Sequence, residues 1–207
     1  MVDLYTSYKD LAASQKEGRD FRVSLRRVLN APIAVVAPHG GGIEPGTSEI
    51  ADELADRDFS YYAFEGLKPS NNRLLHISST EFDEPRCIEL IAAVPAVVAV
   101  HGRNDGGSAI WVGGLDEFMK EHVHQALTRA GFDSGWATNP RLMGSNPRNL
   151  CNRGTSGAGL QLEISLGLRA KLFVSLETAG RRNPTALFRE LIGTLRGALL
   201  DALRSVP

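Results

Sequence analysis

Two short apolar runs, Ile33-Ala-Val-Val-Ala37 and Ala96-Val-Val-Ala-Val100, each break off into a histidine followed by glycine, at His39-Gly40 and His101-Gly102. Runs of this length and composition read as strands buried on both faces, at the centre of a sheet that helices cover on either side. Sheets of that kind place their binding crevice beyond the carboxyl ends of the strands. Both histidines therefore belong to the rim where a site is expected.

The rest of the chain alternates strands and helices around these two runs. A helix is predicted over residues 3–15, then a turn at Lys16-Glu17-Gly18-Arg19 and a strand from Phe21 to Leu29, with Phe21, Val23 and Leu25 on one face. Thr47 to Ala55 reads as a helix capped by Thr47 or Ser48. Short strands follow at Ser60–Phe64 and Leu74–Ile77, and a helix at Glu84–Ala92. Ile110–Val112 is a strand and Leu115–Ala130 a helix with Gly131 just past its end. Residues 134–159 are irregular, Leu160–Ser165 is a strand, and Asn183–Val206 is a helix with Leu187, Leu191, Leu195 and Leu199 on one side. With no repeat or linker, the expectation is one domain over residues 1–207, a three-layer α/β architecture with a mixed open sheet.

A chain of 207 residues is long enough to bury a sizeable core. Its formal net charge of −1 argues against a general nucleic-acid binder. No stretch approaches the roughly 20 apolar residues that span a bilayer, and the amino terminus lacks a signal-peptide pattern. The expectation is a monomer made in the cytoplasm, with no membrane partner. Cys87 and Cys151 are read as two buried free thiols rather than as a disulfide or a thiolate metal site.

The chemistry gathers around the two strand-end histidines. Three glycines follow His39, so its imidazole can stand clear of the backbone, and Glu44 comes five residues later. A catalytic zinc ion takes three protein ligands and leaves its fourth position to water, and His39, Glu44 and His101 could supply the three. Taken singly, His39 reads more simply as a strand end and Glu44 as a solvated loop charge; taken together, they favour the metal. Glu49 is a competitor, explained well enough by its place in the first turn of a helix. His76 suits the core or a place behind a ligand better than ligation, and His122 and His124 read as surface residues.

If Leu160–Ser165 is a strand, Gln161 and Glu163 share one face. Glu163 could then take a proton from a metal-bound water and hand it to a leaving amine; the plainer alternative is a buried ion pair. The stretch from Ser134 to Leu162 contains Arg141, Arg148 and Arg153 and no acidic residue, which suits a polyanionic substrate.

Several of these segments carry a resemblance. They are Tyr8-Lys-Asp-Leu11, Glu17-Gly-Arg-Asp20, the loop from His39 to Ile50, the stretch from Leu75 to Pro85, Val100-His-Gly102, Asn152-Arg153 and Gly159-Leu-Gln-Leu-Glu163. In these the chain resembles the poly-γ-glutamate hydrolase family of phages and bacteria. The resemblance implies a fold similar to zinc carboxypeptidases, with Zn2+ on His39, Glu44 and His101 and with Glu163 as general base. It also implies that Asn152 and Arg153 grip a substrate carboxylate. Arg103, directly after His101-Gly102, is placed with the substrate-binding residues, its particular role open. The His-x4-Glu spacing departs from the His-x2-Glu of ordinary carboxypeptidases, so exopeptidase action does not follow. The expected substrate is poly-γ-glutamate, a polyanionic peptide; release by lysis and action on an extracellular capsule would leave no mark on the sequence. Two alternatives stay open: a zinc-dependent deacylase or amidase acting on another amide, and a non-catalytic capsule-binding module.

Overall fold

The computed structural model describes residues 3–205. Seven strands form one mixed sheet: β1 (Phe21–Arg26), β2 (Ile33–Gly41), β3 (Ser60–Gly66), β4 (Ala96–Arg103), β5 (Ile110–Gly114), β6 (Ser134–Trp136) and β7 (Leu160–Ser165), in the order β1-β3-β2-β4-β7-β5-β6. Strands β3, β2, β4 and β7 run parallel, while β1 and β5 are antiparallel to the neighbours that join them to this block. The two apolar runs occupy its centre. All nine residues of β2 are buried, as a doubly covered strand requires.

The helices are α1 (Tyr8–Ala12), α2 (Thr47–Ala55), α3 (Pro85–Ile91), α4 (Glu117–Arg129), α5 (Leu166–Leu172) and α6 (Ala186–Ser205). Alternate residues of each strand feed two separate cores. Ile33, Val35, Val98, Val100 and Leu162 pack with α2, α4, α5 and α6. Ala34, Val36, Val97 and Ala99 pack with α1, α3 and the segment around Phe82. The three-layer expectation holds, with four helices on one face and two on the other.

Several boundaries move. The first helix shrinks to Tyr8–Ala12, because Ser7 accepts a hydrogen bond from the Asp10 N–H and starts it there. Strand β1 stops at Arg26, three residues early. Leu74–Ile77 is no strand: Asn71 takes a left-handed backbone (φ 61°) and a one-turn 3-10 helix follows at Asn72–Leu75, where the Asn72 amide bonds both main-chain groups of Lys68. Helix α2 has the expected span, but Gly46 (φ 98°) stands at its start in place of a side-chain cap. The last helix begins at Ala186, and its expected end at Val206 lies outside the described residues. Helix α5 was not anticipated; it follows β7 directly, with Ser165 as the joint.

One irregularity positions the site. Strand β2 pairs with β3 at Ala37↔Ala63 and next at Gly40↔Glu65, so β2 carries one extra residue. Such a bulge reverses the alternation of faces. Without it, His39 would follow Ile33, Val35 and Ala37 towards α2. With it, His39 turns to the opposite face, beside Ile77 and Phe82.

Candidate metal centre

His101 lies near the end of β4, on the face it shares with Val97 and Ala99. The bulge brings His39 to that same face from the adjacent strand, and the two Nδ1 atoms stand 3.2 Å apart. Glu44 reaches in from the turn after β2, with Oε1 3.5 Å from His39 Nδ1 and Oε2 3.8 Å from His101 Nδ1. All three side chains are buried. Their ligand atoms lie within 4.8 Å of one another, a grouping that could hold a metal ion.

Each member is held from behind. His39 Nε2 donates to the Ile77 carbonyl (2.8 Å), which leaves Nδ1 as the free lone pair. His101 Nε2 meets the Ser79 hydroxyl at 3.2 Å. Glu44 Oε2 accepts the Gly102 N–H at 2.8 Å. Thr47, read from sequence as a cap, instead donates its hydroxyl to the Glu44 carbonyl (2.9 Å) and closes the turn. Backing of this kind fixes the tautomer and direction of metal-binding side chains.

Electrostatics point the same way. Burial pushes the Glu44 carboxyl up, but His39 and His101 together outweigh it and hold the group well below the ordinary carboxylate value. A carboxylate and two imidazole nitrogens that face one another need positive charge between them.

Glu163 lies on the site face of β7 and is His101's register partner. Burial, then the neighbouring charge of Glu44, pushes its carboxyl up to about 8, against the pull of His39, Arg103 and Gln161. Gln161 donates to Glu163 Oε1 at 3.0 Å and is itself held by Asn149 and by the Leu142 carbonyl. The Arg103 guanidinium sits 5.4 Å from the Trp111 ring centre, with Nε 2.9 Å from Asp105 Oδ2.

Other expected site residues fall further out. Asn152 is buried and has no hydrogen-bonding capacity left: its amide donates to the Gly144 and Asn146 carbonyls and accepts from the Leu115 and Gly159 N–H groups. Arg153 donates to the Phe82 carbonyl and, with Arg148, lines an open cleft of about 620 Å³ beside Thr80. Acidic side chains line it too, and Glu81 already pairs with Arg148 at 2.7 Å. Glu49 is occupied by Arg181, at 2.6 Å. His76 stacks on His39 with centroids 3.9 Å apart and bonds Asp3 at 2.8 Å, so it packs against His39 rather than joining the cluster. Cys87 and Cys151 are free and buried.

Sequence reasoning missed Ser79 and the Ile77 carbonyl, which come from the segment misread as strand and its continuation. It also missed Arg169, a fully buried arginine of α5. Nothing in the sequence marks it, since an arginine four residues past the end of β7 and within a helix reads as an ordinary solvated charge.

Fold and cluster together define an α/β protein of zinc carboxypeptidase-like architecture, with a His, Glu, His grouping at the carboxyl edge of its central strands. The chain belongs to the poly-γ-glutamate hydrolase family, which it matches over residues 5–194. A solved bacteriophage poly-γ-glutamate hydrolase is 30% identical and superimposes with a TM-score of 0.94 over 98% of this chain and 99% of the other. A zinc-free structure of YndL is 32% identical, with a TM-score of 0.89 over 99% and 98% of the two chains. In sequence, the UPF0714 protein YndL of Bacillus subtilis (strain 168) is 37% identical over 83% of this chain. YoqZ, an SPbeta prophage-derived UPF0714 protein of the same strain, is 35% identical over 87% of it. The matches take up 67% and 65% of those two relatives' lengths.

Proposed function

We propose that residues 1–207 act as one zinc-dependent hydrolase that cuts the γ-glutamyl amide bonds of poly-γ-glutamate, with His39, Glu44 and His101 as the metal ligands. The observation that carries this reading is the convergence of two imidazole Nδ1 atoms and one carboxylate on a common point. Their spacings of 3.2, 3.5 and 3.8 Å bracket the distance of about 3.3 Å that follows from zinc–nitrogen bonds in a tetrahedral site. The existence of a zinc-free form of the YndL structure supports zinc as the metal, and the family supports the substrate.

Zinc held there would acidify a water molecule and polarise the amide carbonyl. The protein's own groups do the rest. Glu163 takes the proton of the attacking water and passes it to the departing amine, and Gln161 fixes which oxygen faces the reaction. Arg103, fixed on Trp111, offers positive charge to a substrate carboxylate. Arg153 offers a second contact from the neighbouring cleft. Asn152 anchors the long loop and leaves the gripping of substrate to the arginines. Action on a capsule outside the cell fits a polymeric substrate of this kind.

The test is to incubate purified protein with poly-γ-glutamate, with and without zinc after chelation, and to follow chain length on a gel. Zinc-dependent shortening supports the reading; an unchanged polymer at full zinc occupancy refutes it.

A further inference from the structure

Arg169 is 2% exposed, and its charge has no carboxylate partner among the described residues. Its guanidinium donates instead to three main-chain carbonyls: Ile164 at 3.1 Å, Pro45 at 2.5 Å and Arg103 at 2.9 Å. Each acceptor lies within two residues of a site group. Ile164 follows Glu163, Pro45 follows Glu44, and Arg103 comes two after His101. The guanidinium lies flat against Gly102, where a Cβ atom would stand 2.5 Å from its central carbon. Gly102 in turn gives its N–H to Glu44.

Burying an unpaired cation is costly, and an apolar side chain would suffice to pack α5 on β7. What an apolar residue could not do is hold three divergent carbonyls at once. A planar fork with five N–H donors can, and a lysine ammonium on its flexible stem matches that geometry poorly.

We propose that Arg169 is a positioning residue: it clamps the Glu44 turn and the ends of β4 and β7 into one frame, and so sets the affinity of the site for zinc. The inference rests on the zinc-ligand reading above. It makes Gly102 its necessary partner, because any larger residue there displaces the guanidinium.

The experiment measures zinc affinity by chelator competition, at a temperature where each protein is folded by circular dichroism. Wild type is compared with Arg169→Lys, Gly102→Ala, Arg169→Ala and the double variant Gly102→Ala/Arg169→Ala. Loss of an outer-shell partner weakens metal binding by about 10- to 100-fold, the expected effect of Arg169→Lys and of Gly102→Ala. The double variant should bind no more weakly than Arg169→Ala alone, because the group that the new methyl displaces is already gone. Should Arg169→Ala not fold, Arg169→Lys and Gly102→Ala decide the matter. A wild type that binds no zinc refutes the functional reading. A wild type that binds zinc beside variants that match it within twofold, with lower melting temperatures only, overturns the clamp. Independent, additive losses from the two sites overturn it as well.

Discussion

His101 and Glu163 sit directly opposite each other on adjacent parallel strands, both on the face that carries the site. The proposed base is thus tied to a proposed ligand by the hydrogen-bond ladder of the sheet, not by a loop. Sites built on strands hold their geometry through side-chain substitution better than sites built on loops. This makes the separation of binding from catalysis testable residue by residue.

Glu163→Gln should keep the fold and the zinc while turnover falls about 100- to 10,000-fold, the usual range for a lost general base. The amide preserves shape but cannot accept the proton. Steady-state kinetics with zinc content measured on the same sample decides it, and near-normal kcat would remove Glu163 from the mechanism.

His39→Ala, Glu44→Ala and His101→Ala should each lose zinc. Wild type should carry about one zinc per chain, as a three-ligand site implies. Elemental analysis that finds all three variants fully loaded would place the metal elsewhere.

A pH signature follows from the Glu163 carboxyl, whose folded value of about 8 stands well above its ordinary 4.5. Between these values the unfolded chain has released the proton that the metal-free native protein keeps, so stability falls as pH rises through that window. Melting temperatures of chelated wild type should drop from pH 5 to pH 8, and Glu163→Gln should show a smaller drop. Parallel curves for the two proteins would assign the dependence to other groups.

Asn152→Ala and Arg153→Ala should part company. The first strips four main-chain groups of their partner, and each buried group left unsatisfied costs about 1–3 kcal/mol, so the expected loss is in thermal stability. The second should raise KM for poly-γ-glutamate about 10- to 150-fold, from a lost charge-assisted contact of roughly 1.5–3 kcal/mol, and should affect a neutral amide far less. Equal losses on both substrates would make Arg153 a loop support through its bond to Phe82.

How much of this was legible in the sequence depends on which interaction fixes each element. The central strands were legible because burial on both faces writes itself as unbroken Val, Ile and Ala. His39, Glu44 and His101 were legible because the apolar runs give way to the two histidines, each two residues short of its strand's end, and Glu44 follows in the turn after β2. The loop around Asn72 was not, since Leu74, Leu75 and Ile77 have strand-like composition while the Asn72 side chain closes a turn that periodicity does not register. Arg169 was hidden for a related reason: an arginine in a helix reads as solvated, and only the tertiary structure shows the three carbonyls waiting for it. Asn152 carried a plausible partner in its neighbour Arg153, but the backbone groups that consume its amide belong to irregular segments six to eight residues away on either side and to Leu115, 37 residues away, spacings that no periodicity registers.

The extra residue in β2 has an evolutionary consequence. A strand has two phases, like a code read in steps of two, and the bulge is a one-step phase change placed just before the imidazole. At constant length, closing the bulge would pair His39 with Glu65 and send the ring into the hydrocarbon packed beneath α2. Removing Pro38 would instead leave His39 opposite Phe64, still on the site face, because the strand then alternates regularly with one residue fewer. The imidazole faces the site because it immediately precedes Gly40, where pairing with Glu65 resumes. Descendants of this chain can therefore drift in composition here, and even in length ahead of the histidine, while that adjacency stays fixed.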